Sequence, residues 1–206
     1  NITSIQTKHA GSFSVTFTVN VQSVGITTIV AQGVTGTSNF SYATFTIKNK
    51  ITITPSSGIV GNSVTVQGDG FKSSVAVYIY FGTTKTITTV SSDDNGSWTT
   101  TFTVDTQFYG TKTIMVYSSG VPSLPELYRI LPNIILISPL SGTVGTIVTL
   151  KGNGFGATDG IRIAFGMEST IVLTTGDAIG SWTTTFTIDT QAYGITTIVA
   201  YSSIQN

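Results

Sequence analysis

The eight letters GSWTTTFT stand at residues 96–103 and again at 180–187, and a looser version, GSFSVTFT, stands at 11–18. A string this long does not recur by chance in 206 residues. The chain is therefore built from repeats, and the repeat has to be defined before a fold is assigned. Within the phrase the period is two: Trp98, Thr100, Phe102 and Val104 fall on one side, and Thr99, Thr101 and Thr103 on the other. That is the alternation of a half-buried strand with an aromatic core face. Trp182, Phe186 and Ile188 repeat it in the last copy, and Phe13, Val15, Phe17 and Val19 in the first.

Outward from the phrase the duplication extends over whole domains. Sliding the chain by 84 places aligns residues 51–122 with 135–206 without a gap, and 36 of the 72 pairs are identical. The N-terminal segment matches only the later half of this unit, at an offset of 85. The expected units are residues 1–49, the C-terminal half of a repeat; 50–133, a complete repeat; and 134–206, a repeat lacking its last strand. In the complete unit seven strands are expected, near 51–54, 63–67, 75–81, 85–91, 97–104, 111–118 and 126–131. Asn95-Gly96 predicts a type I′ hairpin, in which both central residues take positive φ. Gly58, Gly61, Gly142 and Gly145 are expected turn formers, and Trp98, Phe102, Trp182 and Phe186 the core anchors. Seven short strands at this spacing predict an all-β protein made of tandem immunoglobulin-like β-sandwiches. The short linkers at 47–51 and 131–135 predict an end-to-end rod.

Composition agrees. The sequence holds 39 Thr, 24 Ile and 23 Ser, and β-branched residues suit strands because their χ1 is restricted. Only 9% of residues are charged, nine of each sign, against about 25% in an ordinary soluble domain. So little basic charge excludes a nucleic-acid surface. Cysteine is absent, which removes disulfides and thiolate metal sites. The chain's apolar runs, residues 134–137 among them, are too short to span a membrane.

The phrase P-x-S-G-x-V-G-x-x-V-T-[VL]-x-G-x-G-F at 55–71 and 139–155, followed by D-x-x-G-S-W in the later half, resembles the IPT/TIG-type immunoglobulin-like domains of prokaryotic surface-layer, filament and adhesin proteins. The resemblance covers both later copies and part of the first. It implies an extracellular, cell-surface structural segment, with an adhesin or carbohydrate-binding accessory module as the alternative. The partners it implies are neighbouring repeats or subunits of the same protein, head-to-tail, with glycans as a further class. It carries over no functional residue, because the matched positions are fold positions.

Residues that could carry chemistry are few. His9 is the sole histidine, so neither a Ser-His-Asp arrangement nor a general-base cluster is expected. Asp105 and Asp189 recur one repeat apart and read as strand-end residues rather than a glycosidase pair. Asp93, Asp94 and Asn95 offer oxygens of the kind calcium accepts, but they read first as a polar turn. Neither cofactor nor metal is expected. Tyr78 and Tyr80 alternate with apolar residues and form a candidate interface or glycan-stacking pair. Asn1, Asn39 and Asn95 begin N-x-[ST] sequons; Asn39 and Asn95 are the candidate glycosylation sites. The first unit lacks opening strands and the last lacks a closing one, so both are expected to be completed by other polypeptide, from a longer chain or a neighbouring subunit.

Overall fold

A computed structural model describes residues 2–7, 11–33 and 40–203. All regular structure among the described residues is β, as the sequence predicts. The first copy contributes β1 (Gly25–Gln32) and β2 (Phe40–Ile47), paired antiparallel. The second contributes β3 (Lys50–Thr54), β4 (Ser57–Gly58), β5 (Ser63–Asp69), β6 (Ala76–Phe81), β7 (Thr84–Ser91), β8 (Trp98–Thr103), β9 (Gly110–Ser118), β10 (Val121–Pro122) and β11 (Glu126–Ile130). The third contributes β12 (Asn133–Ser138), β13 (Ile147–Asn153), β14 (Gly160–Phe165), β15 (Glu168–Thr175), β16 (Trp182–Thr187) and β17 (Ile198–Ser202).

In the second copy a sheet of order β3-β5-β8 faces one of order β4-β11-β9-β6-β7, with the short β10 on β9. The inward residues are those the alternation selects. Val64, Val66, Trp98 and Phe102 meet Val77, Ile79, Phe81, Ile114 and Val116, all buried, and the Phe81 and Phe102 rings lie 5.1 Å apart between the sheets. The third copy repeats the arrangement as β12-β13-β16 against β15-β14-β17, with Phe165 on Phe186 at 5.1 Å. Registers repeat too. Ser63↔Thr103 becomes Ile147↔Thr187, and the irregularity between Ile79 and Phe81 returns between Ile163 and Phe165.

Four details depart from the sequence reading. Residues 11–24 belong to no strand, and Phe13, Val15 and Val19 are exposed, although the segment carries the strand alternation. The turn at 93–97 is not type I′: Gly96 has φ +77° while Asn95 is not left-handed. Gly58, unlike Gly61 and Gly145 (φ +91° and +89°), is no left-handed turn residue; it lies in β4, where a Cβ would meet the Tyr128 hydroxyl at 2.5 Å. Ile135, the counterpart of buried Ile51, is 53% exposed. A bulge between Ile134 and Leu136 turns Ile134 toward the core in its place.

The equivalent strands β9 and β17 differ in length. In the second copy residues 110–114 of β9 pair with β11, and β6 engages β9 only from Ile114 onward. The corresponding stretch 194–197 is not strand, and β17 starts at Ile198.

Candidate functional site: the junctions between copies

Recurring residues outside the strand alternation gather where one copy meets the next. Two residues separate β2 from β3, Lys48 and Asn49, and two separate β11 from β12, Leu131 and Pro132. Against each linker lies the G-x-G-F loop of the following copy. A Cβ on Gly70 would stand 2.6 Å from the Lys48 carbonyl oxygen, and one on Gly154 would stand 2.6 Å from that of Leu131. Glycine is required by this approach and by φ of +71° and +68°.

The phenylalanine after that glycine closes the joint. Phe71 donates its N–H to Gly96 O at 3.0 Å, and its own carbonyl accepts the N–H of Val24 from the preceding copy at 3.1 Å. Phe155 does the same, donating to Gly180 O at 3.0 Å and accepting from Tyr109 N–H at 2.8 Å. Val24 and Tyr109 are equivalent, since each immediately precedes the glycine that opens β1 or β9. On the inner side each phenylalanine ring meets its copy's tryptophan edge-on, Phe71 with Trp98 at 5.3 Å and Phe155 with Trp182 at 5.5 Å. One residue thus ties the core of a copy to the end of its predecessor. The same bond is made at both junctions.

The turn beneath the joint is fastened by a carboxylate. Asp93 Oδ1 accepts the N–H groups of Asn95 and Ser97 at 2.9 and 2.8 Å, and Asp177 Oδ1 those of Ile179 and Ser181, both at 2.9 Å. This fixes the glycine of the repeated phrase against Phe71 or Phe155. A Cβ on Gly96 would collide with Phe71 O, and one on Gly180 with Phe155 O. The Asp93 carboxylate is therefore committed to backbone donors, and Asp94 accepts the Ser74 hydroxyl at 3.0 Å. No group of three or more metal-ligating His, Cys, Asp or Glu side chains occurs among the described residues.

The second junction carries a further cluster. The Arg129 guanidinium donates to the Tyr109 hydroxyl, and the Lys112 ammonium sits 3.2 Å from the Phe108 ring centroid. Burial holds the pKa of Lys112 below the ordinary lysine value. Its counterparts, Thr27 and Thr196, are uncharged.

The other candidates fall elsewhere. Asp105 accepts from Thr84 and Gln107, and Asp189 from Gln191 at 2.8 Å; both sit at strand ends. Tyr78 and Tyr80 project outward from β6, Tyr78 exposed and Tyr80 stacked on Tyr117 at 4.6 Å. Asn95 is exposed at its turn; Asn39, Asn1 and His9 lie outside the described residues. Shallow open grooves lie over the edges of Trp98 and Trp182 at equivalent places, the second about 460 Å³. No helix among the described residues is long and apolar enough to cross a membrane.

Sequence reasoning overlooked the joint residues Val24, Phe71, Tyr109 and Phe155. Their signal was present: G-x-G-F and an apolar or aromatic residue before glycine recur in phase with the repeat at positions the strand alternation does not need.

The family model of the IPT/TIG domain matches residues 51–129 and 132–204. Among solved structures the chain is similar to the Yersinia pseudotuberculosis adhesin InvE, at 16% identity and a TM-score of 0.38, covering 75% of this chain and 55% of that one. It is also similar to a tetra-tandem repeat in the extending region of a large adhesion protein, at 11% identity and a TM-score of 0.38, covering 87% and 57%. The D0-D1 domain of intimin is similar at 12% identity and a TM-score of 0.30, covering 75% and 90%. The chain thus spans little more than half the length of the first two. No curated protein matches it in sequence.

Proposed function

The chain belongs to the IPT/TIG domain family, and from that premise we propose that it is a non-enzymatic structural segment of an extracellular surface protein, a beam in a surface layer, filament or stalk. The observation that carries this reading is the duplicated joint: a two-residue linker and the bond from Val24 or Tyr109 to Phe71 or Phe155, repeated at both junctions. A free linker lets tandem domains swing, whereas a short one stapled by a backbone bond holds each copy in a set orientation to the next. Low charge supports the same role, because contacts without ions are insensitive to ambient salt. The partners in this reading are further repeats or subunits arranged head-to-tail. In an extracellular setting Asn95 would accept a glycan at its exposed turn.

The test is backbone ¹⁵N relaxation on the whole chain. The second and third copies should tumble with one common anisotropic correlation time, and independent tumbling would overturn the beam reading. Antibodies raised against the chain should label intact source cells; labelling only after lysis would overturn the surface assignment.

A second reading, an adhesin or carbohydrate-binding accessory module, draws on exposed Tyr78 beside the stacked pair Tyr80 and Tyr117. Glycan-array signals lost on Tyr78→Ala and Tyr80→Ala would favour it, and a blank array would discard it.

A further inference from the structure

One sheet of the second copy ends in β7, and the equivalent sheet of the third ends in β15. Among the described residues β7 pairs only with β6, and β15 only with β14. The two strands hold the same place in the repeat, but their free edges are built differently. β7 carries Lys85 and, next to it, Thr86 in the left-handed region at φ +56°. A charge and a kink are among the means by which an exposed edge is kept from pairing with another strand. β15 has Ser169 and Thr170 at those places, and Thr170 is not left-handed. From Ser169 to Gly176 no residue is charged. Leu173 stands where β7 has Thr89, and it is 71% exposed.

Which backbone groups face the open side follows from one bond. Gly176 N–H donates to Asp159 O at 2.9 Å, so these two form a hydrogen-bonded pair, and Ile161↔Thr174 and Ile163↔Val172 continue the same register. Hydrogen-bonded pairs alternate with open ones along an antiparallel ladder. Val172 and Thr174 therefore direct their N–H and C=O groups to β14, whereas Ile171, Leu173 and Thr175 turn theirs to the free side. These three residues match their own image. About a two-fold axis at Leu173, that residue falls opposite Leu173 of a second copy, and Ile171 opposite Thr175, so each gives and receives a backbone bond. The exposed leucine is then covered by its own counterpart, and uncharged identical strands meet without repulsion. Arg162, opposite Leu173 on β14, is already engaged: its guanidinium lies 4.2 Å from the Tyr201 ring centroid and donates to Ser169 O.

We propose that the free edge of β15 is a lateral docking site for β15 of a second copy of this chain, joined antiparallel about a two-fold axis at Leu173. The recognition chemistry is that of strand addition, and the contact is isologous, the same edge on both partners. It merges two three-stranded sheets into one of six strands. The contact is small beside a standard interface, so association is expected in concentrated solution, and it strengthens where many copies are held side by side. A sideways contact of this kind goes beyond the beam reading above and does not depend on it.

The chain has no cysteine, so single cysteines can report the pairing. The Cα atoms of a hydrogen-bonded antiparallel pair lie about 5.5 Å apart, a span that a disulfide bridges. Leu173→Cys should therefore oxidise to a disulfide-linked dimer at least about tenfold faster than Thr175→Cys or Thr89→Cys, although all three positions are exposed. In the proposed register the two copies of residue 175 stand about 14 Å apart, and Thr89 lies on the blunted edge. Equal initial rates for the three chains overturn the proposal, as does a faster rate for Thr175→Cys. The unsubstituted chain gives the second readout. Amide exchange at Ile171, Leu173 and Thr175 should slow as the protein is concentrated, while exchange at Ile87, Thr89 and Ser91 stays constant. Exchange at 171–175 that is independent of concentration, or equal slowing at both edges, likewise overturns it. The beam reading is tested separately, by the relaxation of the second and third copies.

Discussion

Gly68 lies so close beneath the indole of Trp98 that a Cβ would collide with its ring atoms Cε2, Cζ2 and Nε1, and Gly152 stands in the same relation to Trp182. The two residues face each other across paired strands, Gly68↔Trp98 and Gly152↔Trp182. The repeated glycine and the repeated tryptophan are thus one packing unit. Its other face is the edge-on contact with Phe71 or Phe155, which leads into the joint.

Gly68→Ala should therefore displace the indole. Overpacking of this kind costs about 1–3 kcal/mol, and tryptophan emission should shift to the red as the ring is pushed toward solvent. Trp98→Ala, which empties the site, should cost about 3–5 kcal/mol. Urea unfolding measures both. A loss below 1 kcal/mol on Trp98→Ala would mean that this face of β8 is not the core.

The glycine of the repeated phrase makes a different prediction. Gly180→Ala places a Cβ against Phe155 O and 2.9 Å from Phe108 Cα, on a residue with φ +76°. The left-handed conformation alone costs roughly 1–2 kcal/mol for a residue with a Cβ, and the collision adds to it by pushing Phe155 O away from Tyr109 N–H. Gly61→Ala carries a similar conformational cost at φ +91° but meets no atom within 4 Å. Both variants should lose stability, but only Gly180→Ala should speed exchange of the Tyr109 amide. Equal exchange in the two would show that the glycine does not guard the joint.

How far the fold could be read from the letters depends on whether a feature repeats and whether it is local. The strand β8 was legible because Trp98, Phe102 and Val104 alternate with threonines, and β16 because the alternation returns. The joint was harder to read, because Tyr109 and Phe155 meet through main-chain atoms and leave only the phased G-x-G-F and the residue before glycine as a trace. Asn95-Gly96 misled for a related reason: the dipeptide favours a type I′ turn in isolation, but the Asp93 carboxylate captures two N–H groups and imposes another geometry. Residues 11–19 carry the strand alternation yet form no strand, since a ladder needs a partner that alternation cannot report. Ile134 and Ile135 show the converse, two adjacent isoleucines whose facing is decided by a bulge.

Asp93 provides the third prediction. Asp93→Ala leaves the N–H groups of Asn95 and Ser97 without their acceptor, a loss of about 1–2 kcal/mol for two partly solvated bonds. Asp93→Asn keeps Oδ1 and should recover most of it. Asp177 holds its turn with the same pattern although Ala178 and Ile179 offer no further side-chain ligand. Thermal unfolding should therefore be the same with millimolar calcium or with a chelator. A rise in midpoint on adding calcium would return the loop to the metal reading.

Tyr128 sets the final prediction, because its hydroxyl is buried with no hydrogen-bond partner among the described residues. A buried hydroxyl left unpaired is costly, so Tyr128→Phe should stabilise the second copy by about 1 kcal/mol at neutral pH. The first copy already has phenylalanine there: Phe45 pairs with Thr27 as Tyr128 pairs with Lys112. The pH dependence separates this cause from a general gain in packing. Burial raises the Tyr128 pKa above 10.0 in the folded chain, so the unfolded chain loses its phenolic proton first. Stability is then complete below pH 10.0 and falls as pH rises toward the folded value. Lys112 works the other way. Its folded pKa lies below 10.5, so the folded chain sheds that proton first and stability rises with pH up to 10.5. Tyr128→Phe should abolish the alkaline fall and leave the rise, while Lys112→Met should abolish the rise and leave the fall. Urea midpoints measured from pH 7 to 11 decide the matter, and an alkaline fall unchanged by Tyr128→Phe would place its origin in another group.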